Sequence, residues 1–183
     1  MTLSSEQAAQ ALHDVENVLN RSGELYRYQR TAPMLMLWGV IWLIGFALTD
    51  FYPRYANSVW IVLDVVGTVG CFLLGRRGHD EASRKDKWRW LISIGSIFAF
   101  YFATLVILQP ATGQQSAALI ALLVALIYVL CGVWRGTRLA VIGAALAALT
   151  LVGYFMIPVH FFLWMAVIGG GALMLAGVWL RKA

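Results

Sequence analysis

The sequence predicts an all-α fold: a polytopic integral membrane protein with six transmembrane helices in three hairpins, preceded by an N-terminal amphipathic cytoplasmic helix. Three observations carry that expectation. Six apolar runs follow one another along the chain, each near the roughly 20 residues that a bilayer-crossing helix needs. Hydrophobic residues make up 61% of the chain and charged ones only 13%, whereas soluble domains carry about 25% charge. Finally, all 14 Lys and Arg except Arg54 fall at the N-terminus, at the C-terminus or in every second connection.

Residues 1–32 form the one extended polar segment and are read as an amphipathic cytoplasmic arm. Ser4 followed by Gln7 has the spacing of a capping box. Leu12, Val15 and Leu19 then recur at helical spacing, with Asp14, Glu16, Asn17 and Arg21 mostly off that stripe. Arg21, Arg27 and Arg30 with Tyr26 and Tyr28 have the composition of an interfacial anchor. No apolar stretch follows Met1 directly, so a cleaved signal peptide is not expected.

Residues 33–183 form the expected bundle, with spans at 33–51, 58–74, 91–108, 116–133, 139–156 and 159–180. Pro33 suits a first helical turn, where its missing N–H has no partner to lose. The loop Asp50-Phe51-Tyr52-Pro53-Arg54-Tyr55-Ala56-Asn57-Ser58 leads from span one into span two. Gly75 to Trp90 is a charged island carrying Arg76, Arg77, Arg84, Lys85, Lys87 and Arg89. Gln109-Pro110 and Pro158 mark the turns before spans four and six.

Orientation follows from the charges. Basic loops stay on the cytoplasmic side, so both termini and the 75–90 loop are expected there, in a cell (inner) membrane. Trp88, Trp90, Trp134 and Trp179 then fall at the inner boundary and Trp60 near the outer one, where indole is favoured. A faint repeat is also visible, in Gly132-Val133-Trp134-Arg135 and Gly177-Val178-Trp179-Leu180-Arg181. Real repetition and convergence on a common helix end both explain it.

Asp64 is the one charged side chain well inside an expected span. It sits about two residues from the middle of span two, roughly 3 Å along the axis. Intramembrane acids are costly and usually face the bundle interior. Span three runs the opposite way, which brings Tyr101 level with Asp64. Thr104 lies about one turn further out, and Thr68 one turn inward on Asp64's own helix. A hydrogen bond from Tyr101 to Asp64 inside the bundle is therefore expected. Asp64 then either couples to protons or cations, or serves as structural glue between helices. The lack of a basic residue at its depth weighs toward the structural role.

Gly169-Gly170-Gly171 falls at the middle of span six. Each glycine weakens a helix by about 0.8–1.0 kcal/mol relative to Ala. A hinge exposing backbone groups and close helix packing are the two readings. Packing is favoured, with Gly143, Ala144, Ala147 and Ala148 of span five as the expected receiving face. Gly67, Cys71 and Gly75 form a similar small ridge on span two.

The remaining chemistry is sparse. His13, His79 and His160 are scattered, so no metal site and no cofactor are expected. Asp50 and His160 both approach the outer surface and could meet there. Cys71 and Cys131 form no CxxC pair and read as packing residues. No nucleophile–base arrangement or phosphate-cradling loop stands out. The net charge of +5 flanks apolar runs instead of lining a recognition element, so nucleic acid is not an expected partner. The expected partners are the lipid bilayer and either a cytoplasmic protein or a second copy of the chain. The function read from this is a non-enzymatic interaction or regulatory component of the membrane. The alternative is a small proton- or cation-coupled transporter or channel using Asp64.

Overall fold

A computed structural model gives the structure of the chain and describes residues 5–76 and 84–182. The described residues are helical almost throughout and form no strand. Helix α1 spans Ser5–Phe51, α2 Ala56–Arg76, α3 Arg84–Leu108, α4 Gly113–Arg135 and α5 Thr137–Met156. The last rod is continuous: α6 (Phe161–Trp164), a π turn (Met165–Gly170) and α7 (Gly171–Arg181). Five stretches are long and apolar enough to cross a membrane: Tyr28–Phe51, Pro53–Gly75, Gly113–Trp134, Thr137–Met156 and Phe161–Arg181. Gly95–Leu108 adds a shorter apolar helix.

The polar arm and the first span are one helix, not two. α1 passes through Pro33, which removes one backbone hydrogen bond and crowds the preceding turn. Tyr28, Ala32 and Leu35 are all buried around that point, so packing on either side holds the rod together. Ser4 of the expected capping box lies outside the described residues, as do the side chains of Leu12 and Leu19. Val15 of the same stripe is exposed. Tyr28, expected as an interfacial anchor, is a core residue only 2% exposed.

α1 is also the hub of the packing. It meets α2 on one side and the α6–α7 rod on another, while α5 joins that rod to α4. The tightest pairs are α4 with α5 and α1 with α7. This differs from three successive hairpins: α3 packs closely on none of the other described helices, α4 included.

Local chemistry explains the turns. α4 begins with a capping box that its sequence, Thr112-Gly113-Gln114-Gln115, encodes. Gln115 N–H donates to Thr112 Oγ1 at 3.3 Å, and Thr112 N–H donates to Gln115 Oε1 at 3.4 Å. α3 is followed by Gln109, whose φ of 41° lies in the left-handed region; Pro110 comes next and cannot continue the helix. A single residue, Gly136 (φ 137°), links α4 to α5, a conformation that L side chains rarely adopt. The 50–55 connection is compact, with a 3-10 turn at Pro53–Tyr55. Gln114 Nε2 donates to the Pro158 carbonyl at 2.6 Å and ties the two turns at this end together.

Close backbone approach builds the core. A Cβ on Gly39 of α1 would stand 2.8 Å from the Gly170 carbonyl oxygen, and one on Gly170 would stand 2.8 Å from the Gly39 oxygen. Seven residues away on each helix, a Cβ on Gly177 would stand 2.9 Å from the Ala32 oxygen. The two small-residue ridges therefore run antiparallel, Ala32/Gly39 against Gly177/Gly170. α4 and α5 repeat the device with Ala118, Ala121 and Ala125 buried and Gly143 against the Ala125 carbonyl and Val129. Gly143 was expected to receive the triple glycine; it serves α4 instead, and α1 receives Gly170.

Candidate functional site

The residues singled out by sequence fall into two places: an outward face carried by α2 and α3, and the π turn of the last rod. α2 is the least covered of the membrane-length helices. Only 6% of its span is buried, against 22–44% for the other four. It touches α1 through Gly67, set against Ile41 and Trp38, and through Gly70, set against Leu37. Arg30 Nη2 donates to the Gly75 carbonyl at 3.1 Å near its end. Trp60 and Leu63 extend the same contact stripe against Gly45 and Phe46 of α1, and the opposite side of α2 looks away from the bundle.

Asp64 lies on that outward side and is exposed, not enclosed among the helices. Tyr101 of α3 is half-buried and close enough to feel the Asp64 charge. No hydrogen bond joins them, and among the described residues the Asp64 carboxyl has no hydrogen-bond or ion-pair partner. Thr68 is exposed on the same side. Thr104 spends its hydroxyl on its own helix, donating to the Phe100 carbonyl at 2.8 Å. Asp64 and Tyr101 are thus brought near each other, on the outside.

The reason is geometric. The contact side of α2 is set by its glycines at 67 and 70, which let Trp38, Ile41 and Leu37 of α1 approach closely. Asp64 precedes Gly67 by three residues, yet Asp64, Val65, Val66 and Thr68 are all exposed. The stripe touching α1 is therefore narrow.

At the π turn the three glycines divide their tasks. Gly170 meets the α1 backbone at Gly39 and Leu43. Gly169 lies 3.2 Å from Met165 Cε and 3.6 Å from Trp42 Cε3, measured from the Cβ it lacks. A Cβ on Gly171 would meet nothing within 4 Å. Met165, Ala166, Gly169 and Gly170 are buried. The wide turn is thus packed on its α1 side, with Val167 exposed on the other.

Sequence reasoning missed the two ends of the core. Arg138 stacks over Tyr28 at 5.7 Å and over Trp179 at 5.2 Å, measured to the ring centroids. It joins α1, α5 and α7 at one end, and only its position beside Trp134-Arg135 hinted at an interfacial role. Toward the other end Trp60 Nε1 donates to Thr49 Oγ1 at 3.0 Å, and Thr49 donates to the Gly45 carbonyl at 2.7 Å. Trp164 Nε1 likewise donates to the Leu149 carbonyl at 2.9 Å. These indoles are cross-links between helices, so Trp60 is not simply a boundary side chain.

Among the described residues no group of three or more His, Cys, Asp or Glu could hold a metal ion. Asp50 and His160 form neither an ion pair nor a hydrogen bond with each other. Cys71 and Cys131 are both free thiols. Of the charged loop, Arg77 lies outside the described residues. Arg76 ends α2, and Arg84, Lys85, Lys87 and Arg89 fall in the first turns of α3, their side chains outside the description.

The fold and site define an all-helical protein with five to six helices apolar enough to span a membrane. No family model matches the chain, and no curated protein or solved structure compared with it is significantly similar.

Proposed function

We propose that the chain is a six-span protein of a bacterial inner membrane, both termini cytoplasmic, acting as a non-enzymatic interaction or regulatory component. One observation carries this reading above a transporter: the polarity lies outside the packed bundle. Apart from the aromatic Tyr28 and Trp42, the described residues bury two side chains with polar groups, Thr49 and Thr150. Each donates to a carbonyl of its own helix, so neither is left to receive a solute. Asp64 faces outward. The first turns of α1 extend well beyond its apolar part, which begins at Tyr28. That polar extension is the docking arm for a cytoplasmic partner. Deleting residues 1–27 is expected to abolish capture of that partner while the bundle stays folded. Unchanged capture and phenotype in the deletion would remove the basis for the reading.

The alternative, a small proton- or cation-coupled transporter using Asp64, draws on the π turn, since such turns often mark functional positions. It requires pH-dependent uptake that Asp64→Asn abolishes. The interaction reading requires that no such uptake exist.

A further inference from the structure

The outward face of α2 poses a definite chemical problem. Ile61, Asp64, Val65 and Thr68 recur at i, i+3, i+4 and i+7 and are all exposed, so they form one stripe along the helix. Ile61 and Val65 are 66% and 58% exposed. Such a stripe is apolar enough for hydrocarbon except at Asp64. That residue lies eight positions into α2, about 12 Å from the helix end at 1.5 Å per residue. An ionised carboxylate at that depth of a bilayer is costly unless it is paired.

The chain itself supplies no counter-charge. Every Lys and Arg lies outside the six expected spans, and Tyr101 brings only a hydroxyl. A lipid headgroup does not reach that depth, because the hydrocarbon core is about 30 Å thick. A metal ion needs more ligands than one carboxylate, and no ligand cluster exists among the described residues. A second copy of the chain would present another carboxyl and hydroxyls, with no cation.

We infer that the α2 stripe of Ile61, Asp64, Val65 and Thr68 docks a transmembrane helix of a different protein, one that carries a Lys or Arg near the bilayer midplane. The warrant is charge complementarity in a low-dielectric medium, where an ion pair is far stronger than in water. The β-branched residues on either side of Asp64 provide a flat apolar bed, and Thr68 adds a hydroxyl one turn away. The inference rests on the interaction reading above and names the chemistry of one partner.

The test uses the purified full-length protein in lipid vesicles with synthetic transmembrane peptides as probes. Each probe is a Leu/Ala-rich helix of about 20 residues, with Lys or Leu at its centre. Energy transfer between the labelled protein C-terminus and the labelled peptide reads association. The central-Lys peptide is expected to associate and the central-Leu peptide not to. Asp64→Asn is expected to weaken the Lys peptide about tenfold or more. Moving the lysine one turn off centre should weaken binding to the unaltered protein as well, which guards against a folding defect in the variant.

Equal association of Lys and Leu peptides overturns the inference. So does insensitivity to both the Asp64 substitution and the shifted lysine. Transfer between two copies of the protein that Asp64→Asn removes also overturns it, because a second copy then holds the face. Proton uptake into the same vesicles is recorded in parallel. Uptake that depends on Asp64 overturns the interaction reading itself, whereas absent peptide binding without uptake overturns only the partner assigned.

Discussion

Gly169, Gly170 and Gly171 are chemically identical neighbours with different consequences. A Cβ on Gly170 would press on the Gly39 oxygen and the Leu43 backbone, and backbone cannot swing aside as a side chain can. Gly170→Ala is therefore expected to destabilise by about 1–3 kcal/mol, the usual cost of overpacking. Gly171→Ala meets open space and should be neutral or stabilising by up to about 1 kcal/mol, through helix propensity. Thermal unfolding in detergent of the two variants side by side checks this; equal effects would show that the Gly39–Gly170 contact does not limit the packing. Arg138 offers a second residue-scale test. Its planar guanidinium faces two rings, a geometry that a Lys ammonium does not reproduce. Arg138→Lys should lower stability by about 0.5–1 kcal/mol, and a lysine variant as stable as the parent would show that charge alone is used.

At the scale of elements, the π turn resolves a register problem. Phe161 and Leu180 are both fully buried. A regular helix of 3.6 residues per turn would leave them about 100° apart around the axis. One extra residue absorbed in the wide turn Met165–Gly170 brings both ends onto the same face. Deleting Val167, an exposed residue inside that turn, should restore a regular helix and rotate one half of the rod out of the core. The expected loss is about 3 kcal/mol or more, in the range reserved for disrupted cores, read as a lowered midpoint or loss of the folded monomer in detergent. A stable deletion variant would mean that the rod tolerates either register. α2 and α3 stand at the other extreme: α2 is held along one stripe of Trp60, Leu63, Gly67 and Gly70, and α3 packs closely on no other described helix.

For the whole molecule, core packing already includes Tyr28, five residues before Pro33. Tyr28 is buried and supports Arg138. Truncation of residues 1–27 should leave the unfolding midpoint unchanged, while truncation of residues 1–30 should lower it. Equal behaviour of the two would place the boundary elsewhere. The topology proposed above is tested by a membrane-impermeant thiol reagent on intact cells, with the native cysteines replaced. Arg54→Cys should react from outside and Lys182→Cys only after permeabilisation. The reverse pattern would invert the orientation.

How much was legible in the sequence follows from the range of the forces involved. Hydropathy is a sum over one helix length, so the all-helical class and the five to six apolar helices could be read from composition and run length. Turn chemistry is local too: the Thr112/Gln115 cap and the Gly136 link are written in adjacent residues. The single long α1 was not legible, because Pro33 argues locally for a helix start, and only the burial of Tyr28, Ala32 and Leu35 holds the helix through it. Nor was the side on which Asp64 lies, since depth along a helix follows from counting residues but direction around it depends on which neighbour arrives. The partners of the glycines were hidden for the same reason: Gly143 and Gly170 suit any close helix, and the antiparallel match of Ala32/Gly39 with Gly177/Gly170 selects α1. The sequence by itself determined which segments avoid water, through apolar surface counted along the chain. Tertiary structure alone decided which faces meet, because that depends on backbone shape complementarity between residues far apart in sequence, and it left Asp64 on the outside.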